Sequence, residues 1–148
     1  MMRILAIDPG PERSAAVEYE SGRILFQHLL PNDDLVEDLI PNSDADVLVV
    51  EMIESYGMAV GREVFATCVW VGRFVQAWGG AFHLLPRSEV KLHLCGSRRA
   101  KDSNIRQALL DKLGPQGTKA AKGPTYGIRK DLWSALAVAV TYSETIGK

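Results

Sequence analysis

Two apolar runs that each end on an acid constrain this chain more than any other feature. Ile4-Leu5-Ala6-Ile7 runs into Asp8, and Val47-Leu48-Val49-Val50 runs into Glu51. Uninterrupted apolar runs mark strands covered on both faces, the habit of central parallel strands. Side by side and parallel, they bring Asp8 and Glu51 to one end of a sheet. A carboxylate there is costly unless it is paired or holds a cation.

The remaining elements follow from periodicity and turn chemistry. Residues 3–8 read as a buried strand. Residues 14–20 and 23–30 flank the turn Ser21-Gly22 and complete a three-strand antiparallel meander. A short helix runs from Pro31-Asn32-Asp33-Asp34 to Ile40, with acids in its first turn. Residues 46–51 form the fourth strand. A helix over residues 60–78 carries two apolar stripes. One is Val60, Val64, Cys68, Val71, Val75 and Trp78; the other is Ala66, Trp70 and Phe74. Two stripes imply burial on more than one side, against the chain's own core or a partner subunit.

Gly79-Gly80 stops that helix, and residues 81–85 form the fifth strand. Helices follow at 86–94, with Ser88 able to cap it, and up to Leu113, capped by Asp102 or Ser103. Residues 115–127 are rich in Gly, Lys and Pro and read as a mobile loop. A last helix spans 129–146. The expected fold class is α/β: a mixed five-stranded sheet, the meander plus two parallel strands, flanked by helices.

A chain of 148 residues with 47% apolar side chains suits a single domain, residues 1–148, with a substantial core. No apolar run approaches the roughly 18 residues that span a bilayer. The N-terminus reads as lacking a signal peptide, because the apolar stretch is short and ends on an acid. Cys68 and Cys95 form no CxxC pair, which fits reduced thiols in a cytoplasm. The three histidines show no metal-ligand spacing.

Charge is segregated along the chain. The net charge is −1, yet residues 1–85 carry 5 basic and 13 acidic side chains, and residues 86–130 carry 11 basic and 3 acidic. A basic stretch on a nearly neutral chain is an electrostatic footprint for phosphate, or else a solvated basic face.

A third acid, Asp131, opens the last apolar helix. Its first turn can face the sheet end that carries Asp8 and Glu51. Carboxylates are hard oxygen ligands suited to Mg²⁺, with Mn²⁺ as an alternative. Two such ions ~4 Å apart support phosphodiester hydrolysis. Gly10 lets backbone approach a phosphate. Lys101 or Lys91 can support charge developing in the transition state. Each acid also has a plainer reading: Asp8 as a turn former, Glu51 as a strand end, Asp131 as a helix cap.

These residues carry a resemblance. Ile4-Leu5-Ala6-Ile7-Asp8-Pro9-Gly10, Val49-Val50-Glu51, Arg87-Ser88-Glu89-Val90-Lys91 followed by Ala100-Lys101-Asp102, and Asp131 to Ala139 occur in the order of the RuvC-type Holliday-junction resolvases. The chain resembles that branch of the RNase H-like superfamily, especially its small bacteriophage members, over nearly its whole length. The resemblance implies an RNase H-like sheet and a metal-dependent endodeoxyribonuclease acting on branched DNA. It also implies a homodimer in the cytoplasm of a bacterial or phage-infected cell.

The catalytic set implied is Asp8, Glu51, Asp131 and Lys101, and the metal set Asp8, Glu51, Asp131 and Ser134, the last through a metal-bound water. DNA contacts would come from Lys91, Arg98, Arg99, Lys101, Lys119, Lys122, Arg129 and Lys130, in a basic pool that also includes Arg87 and Arg106. Tyr56 and Met58, just after Glu51, are candidates for a wedge at the branch point.

One departure stands out. The family pattern has two acids three residues apart at the last helix, and here Ser134 takes the downstream place. Glu54 and Asp102 are candidates for the missing acid. Cleavage of flaps or RNA–DNA hybrids, and junction binding without catalysis, remain alternatives. An ATPase fragment is disfavoured, since Gly114 to Lys119 lacks the order of a P-loop.

Overall fold

The computed structural model describes residues 2–148. Five strands form one sheet in the order β3-β2-β1-β4-β5. They are β1 (Arg3–Asp8), β2 (Arg13–Glu20), β3 (Arg23–Pro31), β4 (Val47–Met52) and β5 (Phe82–Pro86). β1 pairs antiparallel with β2, and β2 with β3; β1 and β4 are parallel, as are β4 and β5. This is the expected meander plus two parallel strands.

The apolar runs of β1 and β4 are explained by their place. Odd and even residues feed two different cores, as a period of two requires. Ile4, Ala6, Val47 and Val49 face one layer, with Leu85, Val90, Ile105, Leu109 and the last helix. Leu5, Ile7, Leu48 and Val50 face the other, with Leu35, Ile40, Val71 and Phe74. A one-residue slip would exchange the two faces, so the register Ile7–Val50 is strongly specified.

The helices are α1 (Asn32–Asp34), α2 (Ile40–Asn42), α3 (Arg62–Trp78), α4 (Arg87–Cys95), α5 (Asp102–Leu113) and α6 (Leu132–Glu144). A π turn, Leu35–Leu39, joins α1 to α2, and Pro41 lies just beyond it without an N–H to continue an α pattern. α6 is buried almost all round, from Leu132 to Tyr142 with only Ser134 partly open, as its composition demands.

Several expectations change. α3 begins at Arg62, so Val60 lies before the helix and is exposed. Of the two apolar stripes, Trp70, Val71, Phe74, Val75 and Trp78 pack on the chain's own core, one of the two expected partners. Phe65 and Val69, which belong to neither stripe, are exposed on α3. Ser88 does not cap α4, and Lys101 rather than Asp102 or Ser103 is the cap residue of α5, its N–H donating to Asn104 Oδ1 at 2.9 Å. Asp102 is thereby released to other partners.

Residues 115–127 are a pinned turn rather than a mobile loop. Thr125 Oγ1 donates to the Gly114 carbonyl at 2.9 Å, and Gln116 Nε2 to the Ile128 carbonyl at 2.7 Å. Gly117 bridges to Lys122, which leaves Lys119 at the tip. α6 starts at Leu132, not Arg129, because Lys130 takes a left-handed conformation with φ of 50°. Both cysteines are free. Among the described residues, no helix is long and apolar enough to cross a membrane.

Candidate functional site

Asp8 and Glu51 each stand one residue past the paired Ile7 and Val50, so parallel pairing sets them level at the carboxyl ends of adjacent strands. Their parity with Ile4–Ala6 and Val47–Val49 turns both toward the layer that contains α6. Asp131 occupies the N-cap position of α6, is exposed, and makes no side-chain capping bond. The capping reading of Asp131 therefore fails, and its carboxylate is free for another role.

Electrostatics link the three acids. The Asp8 carboxyl is pushed up to about 8, first by burial, then by the charges of Glu51 and Asp131, with Arg87 opposing and Asp102 adding to the rise. Glu51 is likewise raised by burial, against the pull of Arg87. Burial first, and then the neighbouring carboxylates, thus favour the protonated form of Asp8.

Arg87 is the residue that the sequence reading placed only among DNA contacts. It opens α4 directly after β5, and β5 runs parallel to β4 with Leu85 opposite Glu51. Its Nη1 donates to Glu51 Oε2 at 3.1 Å and, more weakly, to Ser134 Oγ at 3.4 Å. Its Nη2 donates to Asp102. The two carboxylates outweigh burial and hold the guanidinium above its ordinary value. The signal for it was available: a parallel neighbour of the Glu51 strand that ends one step before an arginine.

The two candidates for the missing acid part company. Asp102 joins the site through Arg87. Glu54 does not: it accepts from Ser88 Oγ at 2.7 Å and from the Tyr56 hydroxyl at 3.0 Å, tying the loop after β4 to α4.

A cavity of about 240 Å³ opens beside Asp131, lined by Arg87, Asp102, Arg106, Lys130, Asp131 and Ser134. Trp133 forms another wall, and the Arg106 guanidinium lies 5.6 Å from its ring centroid. Of the predicted cations, Lys130 reaches this cavity and Lys91 acts electrostatically on Glu51. Lys101 is exposed at the α5 cap, next to Asp102. Arg98, Arg99, Lys119, Lys122 and Arg129 lie exposed farther along the basic stretch.

Gly10 shapes the turn after Asp8. A Cβ there would fall 2.3 Å from the Arg13 carbonyl oxygen. Gly10 N–H donates to Ser14 Oγ at 3.1 Å, Ser14 Oγ to Asn32 Oδ1 at 2.6 Å, and Asn32 Nδ2 to the Gly10 carbonyl at 2.9 Å. This closed, partly buried loop of hydrogen bonds holds the turn on which Asp8 stands.

The donor chemistry fits a divalent ion: hard carboxylate oxygens, a protonated buried acid that an ion would deprotonate, and an uncommitted Asp131. The set is not closed as it stands. Among the described residues no three acids, histidines or cysteines are grouped tightly enough to hold an ion. Arg87 occupies Glu51 Oε2 and Asp102, and leaves Asp8, Asp131 and the other Glu51 oxygen without a bond to it.

Comparison with known proteins supports this architecture. No protein-family model matches the chain, and no curated protein matches it. Solved structures do. Thermus thermophilus RuvC superposes with a TM-score of 0.65 at 20% identity, covering 99% of this chain and 97% of that one. T. thermophilus RuvC in complex with Holliday junction substrate superposes with a TM-score of 0.69 at 17% identity, with the same coverage. The fold of this chain is RuvC-like.

Proposed function

We propose that residues 1–148 form a single RuvC-like nuclease domain, a divalent-metal-dependent endodeoxyribonuclease that cuts four-way or other branched DNA. The observation that carries this reading is the level placement of Asp8 and Glu51 on adjacent parallel strands with Asp131 beside them. The fold likeness to a RuvC bound to a Holliday junction supports the substrate class. Asp8, Glu51 and Asp131 would hold Mg²⁺ or Mn²⁺, with Ser134 beside them. When bound, the ion supplies a Lewis acid for the phosphate and lowers the pKa of the attacking water.

The protein's own groups do the rest. The basic lining of the cavity, Arg87, Arg106 and Lys130, attracts and orients the phosphate. Lys101, beside Asp102, supports developing charge. Lys91, Arg98, Arg99, Lys119, Lys122 and Arg129 supply backbone contacts, which position DNA without reading its sequence. A four-way junction has two-fold symmetry, so a homodimer in the cytoplasm would place one site on each of two strands. The exposed Phe65 and Val69 on α3 are suited to that contact.

A second reading has its own support. Ser134 in place of an acid, and Glu51 engaged by Arg87, would suit a junction-binding protein without catalysis. Labelled four-way junction, linear duplex, flap and RNA–DNA hybrid, incubated with wild type and Asp8→Asn in Mg²⁺ and in Mn²⁺, decide between them. Paired symmetrical nicks confined to the junction and lost in Asp8→Asn are the expected result. Cleavage of flaps or hybrids in preference changes the substrate. Tight junction binding that survives chelator, with no cleavage, establishes the binding protein.

A further inference from the structure

The Arg87 guanidinium meets three oxygen groups from three different elements. Glu51 ends β4, Ser134 lies in the first turn of α6, and Asp102 opens α5. Its side chain is only about a quarter exposed, at 26%. Two carboxylates and a hydroxyl converging on one point make a nest for a cation, and the cation there is part of the chain.

We propose that Arg87 is the resident second cation of this site, so that each chain binds one divalent ion rather than two. The inference rests on the metal-dependent nuclease reading above and adds a stoichiometry to it. Ligand count carries the argument. With Glu51 Oε2 committed to Arg87, the oxygens left near Asp8 are those of Asp8 itself, the free oxygen of Glu51, and Asp131. Drawn together, those three carboxylates would be the ligands of one ion. A second ion would need Glu51 Oε2, Asp102 and Ser134 Oγ, and each of these is bonded to the guanidinium. A guanidinium has no lone pair to offer a metal, and it stays charged at any working pH. An added divalent ion at this point would meet like charge at contact distance.

The serine then has a physical reason. A hydroxyl accepts from Arg87 without adding charge. An acid at position 134 would complete a ligand set that the guanidinium already fills. Arg87 also lines the cavity with Lys130 and Arg106, so a phosphate entering there would meet permanent positive charge that needs no metal to create it.

The test is a titration of the full chain with Mn²⁺ alone, followed by calorimetry and by electron paramagnetic resonance of free Mn²⁺. Wild type is expected to take up one ion per chain, and the double variant Arg87→Ala/Ser134→Asp two, with circular dichroism verifying its fold. Two ions in wild type overturn the proposal and leave the nuclease reading standing. No ion in wild type overturns the metal reading and this proposal with it. One ion in wild type and one in the folded double variant also overturn it, because the place vacated by Arg87 would then not be a cation site.

Discussion

Glu51 Oε2 accepts a hydrogen bond from Arg87 Nη1 at 3.1 Å, which joins the carboxyl end of β4 to the first residue of α4. The carboxylate is buried and the guanidinium partly so. Arg87→Met keeps much of the side-chain volume and removes the partner. The expected loss is about 1–3 kcal/mol near pH 8, the cost of leaving a buried charged acceptor unsatisfied. At pH 4 the loss should shrink, because Glu51, held above its ordinary value of 4.5 by burial, takes up a proton there. Urea melts of both proteins at the two pH values check this; an equal loss at both would mean that Arg87 acts through packing alone.

Asp8 makes stability and function pull apart. Its folded-state pKa of about 8 lies above the unfolded value of 3.8. Between these values the folded state binds more protons than the unfolded, so stability falls as pH rises from about 4 to about 8. Asp8→Asn removes that dependence. In chelator the variant should melt at a higher temperature than wild type at pH 8, and the gap should close toward pH 4. On the proposed nuclease reading, cleavage should drop by a factor of about 100 or more, since Asp8 would be a ligand of the ion that activates water. A variant that is less stable at pH 8 would place the burden on another acid.

On the proposed metal reading, the same proton would compete with metal: Mn²⁺ would bind Asp8 ionised, and binding to the native state would raise its melting temperature. The rise produced by a fixed Mn²⁺ concentration should therefore grow from pH 6 to pH 8.5. A scanning calorimetry series measures it, and a pH-independent rise would separate Asp8 from the metal.

Gly10 is fixed by space rather than by backbone conformation, for its Cβ would overlap the Arg13 carbonyl oxygen. Gly10→Ala should cost about 1–3 kcal/mol, the usual range for overpacking, and should lower cleavage more than stability alone explains. Asn32→Ala, which opens the Ser14–Asn32–Gly10 loop from the other side, should act in the same direction. Thermal melts and single-turnover cleavage of one junction separate the two effects.

Tyr56 and Met58 stand 65% and 72% exposed on the loop after Glu51, and Tyr56 is held there with a φ of 53° and a hydrogen bond to Glu54. Large apolar side chains this exposed next to a candidate active site suit insertion at a branch point. Tyr56→Ala and Met58→Ala should each reduce junction cleavage at least several-fold more than cleavage of a flap. Equal losses on both substrates would end the wedge assignment.

The sheet was legible because its signals are local. Two uninterrupted apolar runs require central strands, alternation around Ser21-Gly22 requires a hairpin, and parallel pairing of β1 and β4 then brings Asp8 and Glu51 to one end. Burial of α6 likewise follows from composition alone. What tertiary structure decided is which partner each polar group takes. Lys101 at the α5 cap frees Asp102; Ser88 goes to Glu54; Arg87 gathers Glu51, Asp102 and Ser134. The turn at 115–127 is pinned by its own Gln116 and Thr125 and by the distant Gln27. Apolar pattern acts through a periodic average and survives in one dimension. Hydrogen bonds and ion pairs depend on distances of a few tenths of an ångström between groups far apart in the chain, and only the packed layers set those.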